Sequence, residues 1–125
     1  SVVLASIGSA RQKGGDAAVQ SNLDGIRSQA EIVASENTNS YATVCTNQTV
    51  LNAITAAKTA ANVTAAIGGN TADANSTTAV CHSVATGWAV SVPLLTNSAN
   101  FWCVDGKGNT GITTTLTADS VTCGS

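Results

Sequence analysis

Apolar positions recur at helical spacing in the first third of the chain and alternate in the last third. Val19, Leu23, Ile26, Ala30 and Val33 stand 4, 3, 4 and 3 residues apart, one apolar seam along a helix. Asp16, Gln20, Asp24, Arg27 and Glu31 fall mostly off that seam. Upstream, Ser1-Val-Val-Leu-Ala-Ser-Ile-Gly-Ser-Ala10 is apolar and ends at Arg11-Gln-Lys13. The pattern predicts one long helix over residues 1–36, about 54 Å at 1.5 Å per residue. That exceeds what a domain of this size covers, so the first part is expected to project. Gly14-Gly15 is the expected soft point, each glycine costing about 1 kcal/mol against alanine, and Asn37-Thr-Asn-Ser40 is the stop.

A second helix is predicted over about 48–67. Asn47 serves as its N-cap, Val50, Leu51, Ile54, Ala57, Ala61 and Ile67 supply the spacing, and Gly68-Gly69-Asn70 ends it. From Val80 the chain turns to β-branched and aromatic residues. Val84, Trp88, Val90 and Val92 nearly alternate up to Pro93, the single proline, and predict one strand. Phe101–Val104 is a second strand and Ile112–Thr117 a third, joined by the glycine turn Asp105-Gly-Lys-Gly-Asn109. The expected fold is α+β in one domain, 1–125. A long helix packs on a small antiparallel sheet of about three strands (80–125), with the short helix in the connecting region 37–79. The seam is expected to rest on Val90, Val104 and Ile112.

Composition changes this picture in two ways. Of the 125 residues 43% are hydrophobic, but about half of those are alanine or cysteine and only 3% of the chain is aromatic, so the core is thin. A thin core is where cross-links help. Four cysteines, Cys45, Cys81, Cys103 and Cys123, contain no C-x-x-C pair, which sets aside zinc-ribbon and thioredoxin readings and points to two disulfides in an oxidising compartment. Three pairings are open to them. Charge is sparse as well, at 10% charged residues and a net charge of −2. Five Lys plus Arg residues form no basic stripe, so direct nucleic-acid binding is not expected.

Several short patterns imitate active sites. Gly106-Lys-Gly-Asn-Thr-Gly111 matches a dinucleotide fingerprint, yet a strand pattern follows it where a phosphate-binding helix is required, so it reads as a hairpin. Asp105 with Asn109 offers one carboxylate to a calcium ion that takes six to eight oxygens. Thr55-Ala-Ala-Lys58 lacks any partner base. His82, the single histidine, stands without a second ligand and reads as structural. Arg11 and Lys13 read as solvated or as contacts to lipid headgroups or a neighbour. The three Asn-x-Ser/Thr sequons at Asn47, Asn62 and Asn75 are expected by chance in a chain this rich in Asn and Thr. No cofactor, metal or catalytic residue is expected.

The layout resembles that of bacterial type IV pilins. Ser1-Val-Val-Leu-Ala-Ser-Ile-Gly-Ser-Ala-Arg-Gln-Lys13 is similar to the stretch that follows their membrane-spanning signature, and Ser21-Asn-Leu-Asp-Gly-Ile-Arg-Ser-Gln-Ala-Glu31 to the helix that continues it. Thr86-Gly-Trp-Ala-Val-Ser-Val-Pro93 and Phe101-Trp-Cys-Val-Asp-Gly106 resemble their strands. The family's cleavage site, N-terminal Phe and early glutamate are not in this sequence, and the chain is expected to start downstream of them.

The resemblance implies a structural subunit, major or minor, of an extracellular cell-surface filament used in attachment, twitching motility or DNA uptake. Its partners would be copies of itself in a helical filament, the pilus assembly machinery, and the inner membrane before assembly through the missing segment. Val2, Val3, Leu4 and Ile7 would form the assembly surface. It also implies a C-terminal loop disulfide, Cys103–Cys123, which leaves Cys45–Cys81 to close the connecting region. Rival readings are a pseudopilin of a type II secretion system and a secreted module holding a ligand near Trp88 and Trp102.

Overall fold

A computed structural model describes the backbone of residues 2–125 and the side chains of residues 7–125. The expected long helix forms as α1 (Val2–Asp24) and α2 (Ile26–Glu36), with a single turn residue, Gly25, between them. Gly25 keeps helical angles (φ −68°, ψ −20°), so the two segments continue one path. The seam is buried as the spacing requires: Val19, Leu23, Ile26, Ala30 and Val33 are all at most 2% exposed. Thr38 and Asn39, both at left-handed φ, stop the helix where the polar run was read.

The expected soft point at Gly14-Gly15 is instead continuous helix. Gly15 is a point of close approach: a Cβ there would stand 2.9 Å from the Ala60 carbonyl oxygen and run into Leu95. A side chain at 15 would push apart α1 and the end of α3 (Gln48–Ala60), which runs antiparallel beside it.

Asn47 caps α3 as expected, its Oδ1 accepting from Val50 N at 3.1 Å. The C-terminus comes earlier than Gly68. Asn62 adopts φ 57°, Asn62 N donates to the Thr59 carbonyl at 3.2 Å, and Val63 N to the Lys58 carbonyl at 2.9 Å. This is a Schellman closure, with an asparagine in the position usually given to glycine. Ile67 therefore lies outside the helix. Gly68 lies alongside the sheet, donating to the Ala79 carbonyl at 2.8 Å and accepting from Cys81 N at 2.9 Å.

The sheet has four antiparallel strands in sequential order, β1 (Val80–Val84), β2 (Gly87–Pro93), β3 (Phe101–Asp105) and β4 (Thr110–Thr113), not three. The run read as one strand from Val80 to Val92 folds back at Ala85-Thr86, pairing Ser83 with Trp88 and Cys81 with Val90. Cys81, Trp88, Val90, Val92 and Val104 face the helices in the main core. Val80, Ala89, Cys103 and Leu116 form a smaller cluster on the opposite face, under the connecting region and the C-terminal segment.

Ile112 does not join the core. It is 60% exposed on the edge strand. The helix end that reaches this edge is polar: Asp24 Oδ1 accepts from Trp102 Nε1 and from Thr110 Oγ1, each at 3.2 Å. The third strand is also shorter than Ile112–Thr117, because Thr113 and Thr115 exchange local hydrogen bonds and Leu116 turns into the second cluster.

Candidate functional site

Three features of the molecule bear on function: the tied C-terminal segment, a cleft beside α2, and the uncovered start of α1.

The C-terminal segment is held at several points. Cys103 pairs with Cys123, and Cys45 with Cys81. Asp105, at the end of β3 and 1% exposed, organises both the hairpin and the tail. Its Oδ1 accepts from Lys107 N and Asn109 N, both at 2.9 Å, and its Oδ2 from Asn109 Nδ2 and Cys123 N, both at 2.8 Å. Burial alone would raise this carboxyl. The hydrogen bonds from Cys123, Asn109 and Lys107 outweigh it and hold Asp105 below its ordinary value. All four acceptor positions on Asp105 are thus filled by this chain's own N–H groups.

The Gly106–Gly111 run comprises the β3–β4 turn, with Gly108 at φ 93°, followed by Thr110 and Gly111 at the start of β4. Thr55 and Lys58 lie within α3, and Thr59 Oγ1 donates to the Thr55 carbonyl.

His82 is fully buried in β1. Its Nδ1 lies 2.6 Å from the Ser120 carbonyl oxygen and its Nε2 2.8 Å from that of Ala72. Both ring nitrogens lie within hydrogen-bond distance of a backbone carbonyl. The side chain thus bridges the connecting region and the tail, a structural post. Among the described residues no group of three or more His, Cys, Asp or Glu side chains converges.

Of the two tryptophans, Trp88 is 1% exposed and Trp102 half-buried, so Trp88 offers no open aromatic face. Trp88 instead contributes an edge. Its Nε1 is buried without a hydrogen-bond partner, a state that costs about 1–3 kcal/mol. The indole packs on Gly106, where a Cβ would stand 2.9 Å from Nε1. Trp88 and Gly106 line a cleft of about 290 Å³, together with Asp105, Gly108 and, from α2, Arg27 and Glu31. On its other side Glu31 accepts from Tyr41 Oη at 2.9 Å. That hydrogen bond, then burial, then the charge of Glu31 push the Tyr41 phenol above its ordinary value. Sequence reasoning gave Trp88 as a candidate ligand residue but Arg27 and Glu31 only as polar positions off the helix seam, where they look like an ordinary solvated face.

Residues 7–14 of α1 are exposed on every side, Ile7 by 45%. Val2, Val3 and Leu4, the other expected assembly residues, lie outside the residues whose side chains are described. No helix is long and apolar enough to cross a membrane, among the described residues.

Comparison with protein-family models, with curated proteins and with solved structures finds no match for this chain.

Proposed function

We propose that the chain is a structural subunit of a type IV pilus filament, displayed on the cell surface and performing no catalysis. The observation that carries the reading is the uncovered start of α1. Its residues 7–14 complete two helical turns with no cover from the chain's own domain, while the same helix is anchored from Asp16 onward. Asp16 itself is 8% exposed and accepts from Leu95 N at 2.6 Å and Thr96 Oγ1 at 2.5 Å, which fixes the helix to the β2–β3 loop. An exposed helix carrying Ile7, with Val2, Val3 and Leu4 before it in sequence, suits burial against other copies. A head-to-tail contact that does not close builds a helical filament. Low overall charge limits repulsion between crowded copies.

The test is twofold. The codons preceding Ser1 are expected to encode a short basic leader, then Phe-Thr-Leu-x-Glu and an apolar run; any other upstream sequence removes the reading. Filaments sheared from the producing cells are expected to contain this chain. Its absence from them, with the leader present, would assign it to a pseudopilin of a secretion system.

A further inference from the structure

We propose that copies of this chain join in parallel, head to tail, through one helix face, with Ile7 and Arg11 of one copy against Ile32 and Glu36 of the next. The inference rests on the filament reading and names the surface that receives the uncovered start of α1.

Two large hydrophobic residues on the helices are exposed, Ile7 by 45% on α1 and Ile32 by 48% on α2. Each is followed, four positions on, by an exposed charged residue: Arg11 after Ile7, Glu36 after Ile32. Residues four apart share a helix face, so each isoleucine and its charge form one patch. Ser28 and Ser35 beside Ile32 are also exposed, and the domain leaves this strip of α2 open. Glu31 is held by the Tyr41 hydroxyl. Twenty-five positions separate Ile7 from Ile32, and Arg11 from Glu36. That is nearly seven turns at about 3.6 residues per turn, and Gly25 keeps helical angles between the two patches. They therefore lie on one face of the helix path, about 38 Å apart along it.

Order and charge decide the partner. Parallel copies staggered by that distance, their patches turned toward each other, bring isoleucine onto isoleucine and Arg11 onto Glu36 together. An antiparallel pair would set each isoleucine against a charge. Pairing either patch in parallel with its own copy would set like charges together, which is costly. Charge is divided along the chain in the same sense: residues 1–15 hold two basic and no acidic side chains, and residues 16–125 three basic and seven acidic. Each copy offers one patch of each kind, so the contact is heterologous and does not close.

Charge reversal in the producing cells provides the test. Arg11→Glu alone and Glu36→Arg alone are each expected to lower the chain's content in sheared filaments about fivefold or more, because like charges then meet. The two reversals together are expected to restore it to within about twofold of the parent. Both positions are exposed, so the amount of folded chain is expected to stay unchanged in all three. Ile7→Cys combined with Ile32→Cys adds thiols to a chain whose own cysteines are all paired. Mild oxidation of those filaments is expected to give a ladder of multimers on a non-reducing gel, and either substitution alone to give none. The proposal is overturned, with the filament reading left standing, if parent filaments form but the single reversals enter them freely, the paired reversal does not rescue, or the ladder is absent. Cross-linking to a different protein alone would overturn it in favour of a mixed filament. Absence of the parent chain from filaments would overturn both readings.

Discussion

Asp105 shows how much one side chain carries when the core is thin. It is scarcely exposed, bears a charge, and receives four N–H groups from three residues, one of them Cys123 in the tail. Asp105→Asn replaces an acceptor oxygen with an NH₂ that faces donors. We expect a loss of about 2–4 kcal/mol in urea denaturation at neutral pH, on the scale of hydrogen bonds to a charged group. The lowered value of the folded carboxyl sets the sign of the pH effect. Its contribution is fully present above the ordinary aspartate value near 3.9 and is lost as pH falls through the folded value. Stability measured across that acid range should fall less steeply in Asp105→Asn than in the parent. An equal slope would show that Asp105 is not a source of acid sensitivity. Sequence reading placed Asp105 in a glycine turn and weighed it as a metal ligand. Its real role depends on Cys123 arriving from 18 residues away, and local patterns do not report that.

The elements divide into those governed by their own pattern and those governed by what lands on them. The helix seam, the Asn47 cap and the stop after Glu36 are local, and all three were legible. The hairpin at Ala85-Thr86 was concealed by near-alternation on both sides of it. Odd positions, Cys81 and Ser83, face the helices in β1, and even ones, Trp88 to Val92, do so in β2. That change of phase was the available signal. Ile112 looked like a core residue because it is β-branched in a strand pattern, but burial depends on what covers the strand, and there the helix offers Asp24. Two substitutions separate the cases. Leu23→Ala, at 0% exposure, should cost about 2–4 kcal/mol. Ile112→Ala should stay within about 0.5 kcal/mol, as exposed positions do. Comparable losses in chemical denaturation would place Ile112 in the core after all. The Cys103–Cys123 bond acts at the same scale, closing a separation of 20 residues for about 3 kcal/mol. The tail has other anchors: Leu116 is 1% exposed, and Asp119 N donates to the Asn70 carbonyl at 2.6 Å. Cys103→Ser is therefore expected to lower the melting point and to open the tail to proteases ahead of the sheet. Cleavage beginning in the sheet would mean that those anchors hold the tail without the bond.

At the scale of the whole molecule, a well-covered domain carries a helix that runs past its cover. Composition and spacing predict a projecting start to the helix, and of the residues whose side chains are described, 7–14 are exposed. The cleft was not legible, since Arg27 and Glu31 on α2 meet Trp88, Asp105 and Gly106 only after the sheet has folded beneath the helix. The projection separates stability from assembly. Ile7 is 45% exposed and lies outside the buried core, so Ile7→Asp removes little from the isolated chain, within about 0.5 kcal/mol by thermal unfolding. In a filament the same position would lie among apolar helices, where an unpaired carboxylate costs several kcal/mol. Cells expressing Ile7→Asp should thus make normal amounts of folded, disulfide-bonded chain, yet sheared surface filaments should lack it. The control is Leu23→Ala, which weakens the domain but leaves the projecting face intact, so it should reduce folded chain and filament content together. If Ile7→Asp enters filaments as readily as the parent, residues 7–14 do not form an assembly surface, and the filament reading loses the observation that carries it.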